Sequence, residues 1–333
     1  MPTSPSQSRA PIETMNRAVD EAERLVEGRS DAIGLAYRTL VEFRLGNGNP
    51  APEIADILCD SDASLFELAS TYQSLLATAH ATHSHSKRKQ RGAYYTPLSL
   101  VDHLVERTVL RTLEDFAGSI ESFRVCDPAV GVGAFLIRSA HLLAERVGTR
   151  SRESVLDTII TNCLFGVDID PIAAMLCRAV LANETSDPIA SYDLLASKIK
   201  VGNALIGATP ELVEAGVPSA AFIVKPGDDN AAVSTYKRRN TAERRSSTVT
   251  HPHSQDPDPM LSADAWCAAF VWRMHITDES GEWDAMTQRH FDLVRATPDQ
   301  LPGWMREEID RLKQEHSFFH WHLEFPGINL NWL

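Results

Sequence analysis

Apolar positions recur at helical spacing through the first quarter of the chain. Ala18, Leu25 and Val26 form one set, and Ile33, Leu35, Ala36, Leu40 and Phe43 form a second. The run Gly46-Asn47-Gly48-Asn49-Pro50 interrupts the pattern, which resumes at Ile54, Ile57 and Leu58 and continues from Leu65 to Leu76. Residues 13–86 therefore read as a helical N-terminal region, preceded by a Ser/Pro/Gln-rich stretch over 1–12 that is expected to be disordered. His80 to Arg91 is a polar, basic connector, and a domain boundary is placed there.

From Gly92 the pattern alternates between strand and helix. Pro97 to Leu113 predicts a helix, with Thr96 as its N-cap and Pro97 at the first helical position. Phe123 to Cys126 predicts a short buried strand, followed by a glycine-containing turn and a helix from Ala134 to Arg146. Asn162 to Val167 predicts a second strand, followed by a helix from Pro171 to Ala182. Strand, turn, helix, strand and helix in this order indicate a right-handed parallel α/β unit within 87–225. Residues 226–260 are rich in Asp, Ser, Arg and Pro without periodicity, which predicts a flexible insertion. An ordered, aromatic-rich segment follows over 261–333, and no internal repeat is evident.

Composition narrows the class. Of 333 residues, 43% are hydrophobic and 23% charged, a globular balance. No apolar run is long enough for a bilayer and no signal-peptide pattern opens the chain, so the cytoplasm is the expected compartment. The five cysteines are scattered without a C-x-x-C pair, which argues against a disulfide framework or a zinc site. The net charge of -13 speaks against non-specific coating of nucleic acid, but local patches decide binding. Lys87, Arg88, Lys89 and Arg91 form one basic patch, read either as a solvated linker or as a phosphate contact. Lys237-Arg238-Arg239 with Arg244-Arg245 forms another.

The candidate chemistry lies at the strand ends. Asp127-Pro128-Ala129-Val130-Gly131-Val132-Gly133 follows the first strand, where a doubly wound fold keeps its ligand. Gly131 and Gly133 permit close backbone approach, and the following helix N-terminus offers free N–H groups to a carboxylate. A G-x-G alone fits many folds. The dinucleotide fingerprint would need a third glycine where Leu136 stands, and a P-loop would need Gly-Lys-Ser/Thr. At the end of the second strand, Gly166-Val167-Asp168-Ile169-Asp170-Pro171 places a carboxylate that can accept from both hydroxyls of a ribose. Asp168 is the better ribose candidate, and Asp170 reads as the cap of the helix at Pro171.

Taken in order, four segments resemble motifs X, I, II and III of γ-class adenine-specific amino-methyltransferases. They are Tyr94-Tyr95-Thr96-Pro97, the Asp127–Gly133 loop, Gly166–Pro171 and Gly202-Asn203-Ala204-Leu205. The nearest resemblance is to Eco57I-like restriction-modification enzymes and phage-defence methylases. It extends over roughly residues 90–326 and includes Ala265–Phe270 and Phe319–Pro326. The resemblance implies a Rossmann-like, S-adenosylmethionine-dependent α/β fold with DNA as substrate. Tyr95 and Thr96 would hold the methionine end of S-adenosylmethionine, and Asp127, Ala129, Gly131 and Gly133 would surround its amino-acid portion. Asp168 would take the ribose with Ile169 beside it, and Asn203 would lie near the adenine. The loop departs from the usual pattern at Val130 and Val132, where small or polar residues are common.

One element of the pattern is absent. The family transfers its methyl group at an Asn/Asp-Pro-Pro-Tyr/Phe motif, which accepts from the target amine and stacks on the flipped-out base. No two of the 18 prolines are adjacent. The expectation is therefore the cofactor-binding part of a methyltransferase, as a split subunit, a truncated product or a frame-disrupted gene. A partner polypeptide would supply the motif, and the sheet would stop before its fourth strand. The competing expectation is a non-catalytic assembly subunit with a methyltransferase-like shell. His316, His320, His322 and Glu324 could suggest a metal cluster, but the family segment accounts for the same residues.

Overall fold

The structure is a computed structural model that describes residues 9–46, 48–79, 96–147, 152–247, 256–275, 284–328 and 331–332. Five helices open the chain: α1 (Arg9–Ala22), α2 (Arg29–Leu45), α3 (Pro52–Cys59), α4 (Leu65–Ser70) and α5 (Tyr72–Ala79). Met15, Ala18, Val19 and Ala22 form the buried stripe of α1. On α2 the stripe is Ile33, Ala36, Tyr37 and Leu40, the i, i+3, i+4, i+7 spacing that lays one face on a core. The break expected at Gly46 is present: that glycine caps α2 in the left-handed region, φ 66°. A reciprocal pair starts α4, with the Ser64 side chain accepting from Glu67 N–H and Glu67 accepting from Ser64 N–H.

Next come α6 (Leu98–Val105), which continues through one wide π turn (Glu106–Leu110) to Glu114, then β1 (Val125–Asp127) and α7 (Ala134–Val147). The helix α8 (Arg152–Cys163) leads into β2 (Leu164–Asp168), and α9 (Pro171–Ala182) and α10 (Pro188–Leu195) lead to β3 (Ile199–Val201). Pro97 is the N-cap of α6, so Thr96 does not cap it as expected. A cap at Thr96 would have put Pro97 inside the first turn, but Pro97 takes an extended ψ of 136°. The Asp170 cap is as expected: its Oδ1 accepts from Ile172 N–H at 2.9 Å, with Pro171 opening α9.

All strand pairs are parallel, in the order β3-β2-β1-β4. The strand β4 (Asn331–Trp332) pairs with Val125 and Cys126 on the side of β1 away from β2. This corrects the expectation that no fourth strand would flank β1. Two residues suffice to occupy that edge because β1 is itself only three residues long.

The chain has two compact units, residues 1–201 with 329–333, and residues 202–328. Their division falls between Val201 and Gly202, not at 80–91 or after 225. In the first unit the N-terminal helices are part of the α/β structure. Ile33, Tyr37, Leu40, Leu65, Leu68 and Tyr72 share one apolar cluster with Val132, Ala173, Leu176 and Val180. A second cluster packs on the strands, joining Val125, Leu164 and Ile199 to Val105, Phe123, Leu136, Leu143, Ile160 and Leu195.

The second unit contains α11 (Pro210–Ala215), α12 (Asn230–Ser246), α13 (Pro259–Val271), α14 (Gln288–Ala296), α15 (Gly303–His316) and α16 (Trp321–Glu324). Trp272, Phe222, Phe291, Met305 and Ile309 fill its core. Of the flexible insertion expected at 226–260, residues 248–255 lie outside the described residues, and residues 230–246 instead form α12. Asp229 caps α12 by accepting from Ala232 N–H, and Ala232, Val233, Tyr236 and Asn240 are buried at helical spacing. Asn240 is fully buried because its amide donates to Val217 O and its carbonyl accepts from Gln288 N–H. Polar residues thus anchor this helix, which is why its apolar signal is faint.

Candidate functional site

The carboxyl ends of β1 and β2 meet in one bonded turn. Asp127, the last residue of β1, is buried, and its Oδ1 accepts from Ala129 N–H at 2.9 Å. The loop then turns through Val130, whose N–H donates to Val167 O at 3.0 Å. Gly131 lies at φ 53° and Gly133 at φ 94°, left-handed backbone that favours glycine. A Cβ on Gly133 would also stand 2.9 Å from Cys177 Sγ.

Asp168 joins this loop from the neighbouring strand. Its Oδ2 accepts from Gly131 N–H at 2.8 Å and its Oδ1 from Asp170 N–H at 2.9 Å. The predicted residues Asp127, Ala129, Gly131, Gly133 and Asp168 are therefore brought together, with Ile169 part-exposed after Asp168. Thr96 lines one recess with Leu98, Gly131, Ala134 and Phe135. Tyr95, Lys87, Arg88, Lys89 and Arg91 lie outside the described residues. Val130 and Val132, the bulky departures of the loop, are largely buried, and Val132 packs into the core shared with the N-terminal helices.

The recess has a wall that sequence reasoning missed. Phe66, Ser70 and Gln73, from α4 and α5, line it opposite the glycine loop. Tyr72 Oη donates to Asp170 Oδ2 at 2.8 Å. A polar residue on an amphipathic helix reads as a solvent face, so no local signal marked Gln73.

Asn203 opens the second unit. Its Oδ1 accepts from Leu205 N–H at 3.1 Å, and its own N–H donates to Ser317 O at 2.6 Å. The segment 317–321 grips this loop further: Phe319 N–H donates to Ile206 O, and Trp321 Nε1 donates to Ala204 O. His320 is buried with both nitrogens engaged. Nδ1 accepts from Ala208 N–H, so Nε2 carries the proton and donates to Asp264, which also receives Lys313. His320 is thus a fastening for the loop. Among the described residues no group of three His, Cys, Asp or Glu could hold a metal ion.

The second basic patch is divided by its contacts. Arg239 forks onto Asp284 at 2.9 and 2.8 Å and reaches Glu243, and Arg244 donates to Val217 O and Ala215 O. Lys237, Arg238 and Arg245 remain exposed.

Burial pushes the Asp127 carboxyl from 3.8 up to about 6, against the pull of Ala129 N–H and with the help of the Asp168 charge. Burial raises Asp168 as well, opposed by the N–H groups of Asp170 and Gly131. A folded-state value above the unfolded one means stability that is full below pH 3.8 and is lost as pH rises through about 6. Asp127→Asn keeps an oxygen for Ala129 N–H and removes the buried charge. It should stabilise the protein at pH 8 by on the order of 2 kcal/mol and have little effect near pH 4. Urea unfolding at both pH values checks this; an equal effect at the two would contradict it.

No described helix is long and apolar enough to cross a membrane. No curated protein and no solved structure matches the chain. Residues 67–191, which include Gln73, Thr96, the glycine loop and Asp168, match the family described as N-6 DNA Methylase.

Proposed function

We propose that this chain carries the S-adenosylmethionine-binding part of a site-specific adenine-N6 DNA methyltransferase of a restriction-modification or phage-defence system. The carrying observation is the bond from Gly131 N–H to Asp168 Oδ2, which sets a ribose-type carboxylate against a glycine loop at adjacent parallel strand ends. In this reading Asp127 faces the cofactor's ammonium, and the N–H groups at the start of α7 face its carboxylate. Tyr95 and Thr96 flank the methionine end, and Asp168 accepts from the ribose hydroxyls beside Ile169. Asn203 takes the adenine by the motif resemblance.

S-adenosylmethionine supplies an electrophilic methyl group on a positively charged sulfur. Transfer to adenine N6 needs an acceptor for the target amine's protons and an aromatic platform for the flipped base. The 333 residues contain no adjacent prolines and so no Asn/Asp-Pro-Pro-Tyr/Phe motif. That motif would come from a second polypeptide or from sequence beyond these residues.

Wild-type protein should bind S-adenosylmethionine by calorimetry, and Asp168→Ala should weaken binding by about 1–3 kcal/mol. Absence of both heat and thermal shift at millimolar cofactor would sink the reading. With radiolabelled cofactor and unmodified DNA, the chain alone should transfer no methyl group to adenine; steady incorporation would mean that other residues do the chemistry. For DNA, Lys87, Arg88, Lys89 and Arg91 are the proposed phosphate contacts. Neutralising all four should weaken binding and flatten its salt dependence, because each contact releases counterions. An unchanged salt slope would return that segment to the role of linker.

A further inference from the structure

The recess at the glycine loop is closed on one side by helices that precede the strand–helix alternation, and one side chain there has no structural employment. Gln73 lies on α5 between two anchored neighbours. Tyr72 is buried, packs edge-on against Tyr37 with centroids 5.0 Å apart, and donates to Asp170 Oδ2. Leu75 and Leu76 are buried in the core shared with α9. The helix is therefore fixed on both sides of Gln73. It lines the recess with Ser70, Thr96 and Ala129–Val132. Its Nε2 would stand 3.3 Å from a Cβ placed on Gly131. Among the described residues the Gln73 amide has no hydrogen-bond partner.

A half-buried amide that lines the recess beside a glycine loop and bonds no protein group keeps both its donor and its acceptor available to a ligand seated there. We infer that Gln73 is a cofactor-binding residue, its amide hydrogen-bonding the amino-acid end of S-adenosylmethionine across the glycine loop. The inference rests on the cofactor reading above and deepens it. The amide suits that end because it both donates and accepts, matching a carboxylate and an ammonium on one carbon. The other end of the cofactor belongs to Asp168, whose carboxylate accepts from Gly131 N–H. The Tyr72 bond to Asp170 makes the neighbouring residue the strut that holds α5 in register with the ribose-side turn.

The experiment uses the full 333-residue chain and the substitution Gln73→Met, which keeps length and shape and removes the amide. Two probes are titrated: S-adenosylmethionine, and 5′-methylthioadenosine, which has the nucleoside and sulfur but no amino-acid group. The expected result is about tenfold or greater loss of S-adenosylmethionine affinity, with 5′-methylthioadenosine affinity within about twofold of wild type. Unfolding midpoints without ligand should match. Equal loss for both probes would make Gln73 a structural residue and overturn the inference, as would unchanged affinity for S-adenosylmethionine. Wild-type protein that binds neither probe would instead defeat the cofactor reading, and the inference with it. Asp168→Ala, which should weaken both probes, separates the two ends of the ligand.

Discussion

The bond between Gly131 N–H and the Asp168 carboxylate fixes the geometry on which the rest of the first unit depends. It ties a loop leaving β1 to a turn leaving β2, so the parallel register of Val125–Asp127 on Leu164–Gly166 also sets where the two turns sit. Gly131 itself takes the left-handed region, which turns the chain away from Asp168 towards α7. The next left-handed residue, Gly133, lets α7 leave directly over Cys177 of α9. One hydrogen bond thus connects strand pairing, loop conformation and helix packing.

This arrangement places two carboxylates close together in a largely buried setting. No cation neutralises either one among the described contacts. Backbone N–H groups do that work: Ala129 for Asp127, and Gly131 and Asp170 for Asp168. Amide dipoles lower the cost of the charge without cancelling it, and both groups remain shifted upward.

Much of this was legible in the sequence where local chemistry is stiff. The bounds of α9 at Pro171 and Ala182 follow from an Asp cap, a proline at the first position and a continuous apolar run. The strand β1 begins two residues later than the pattern suggested, because Phe123 is buried by the packing of a preceding turn and not by pairing. Three features escaped for physical reasons. A two-residue strand has no period to read. The helix α12 is anchored by an asparagine and a tyrosine amid Lys and Arg, so its composition imitates a loop. Tyr72 matters through a contact with a residue 98 positions away, which periodicity cannot register.

The core shared by the N-terminal helices and α9 also dictates how the protein can be cut. A fragment begun at Gly92, where the strand–helix alternation starts, would bare Val132, Leu176 and Val180 to water. It would also strip Asp170 of its phenol partner and open the recess on the side of Phe66. The smallest autonomous piece that retains the glycine loop in its native setting therefore includes α1 through α5, although nothing in those helices contributes a strand to the sheet.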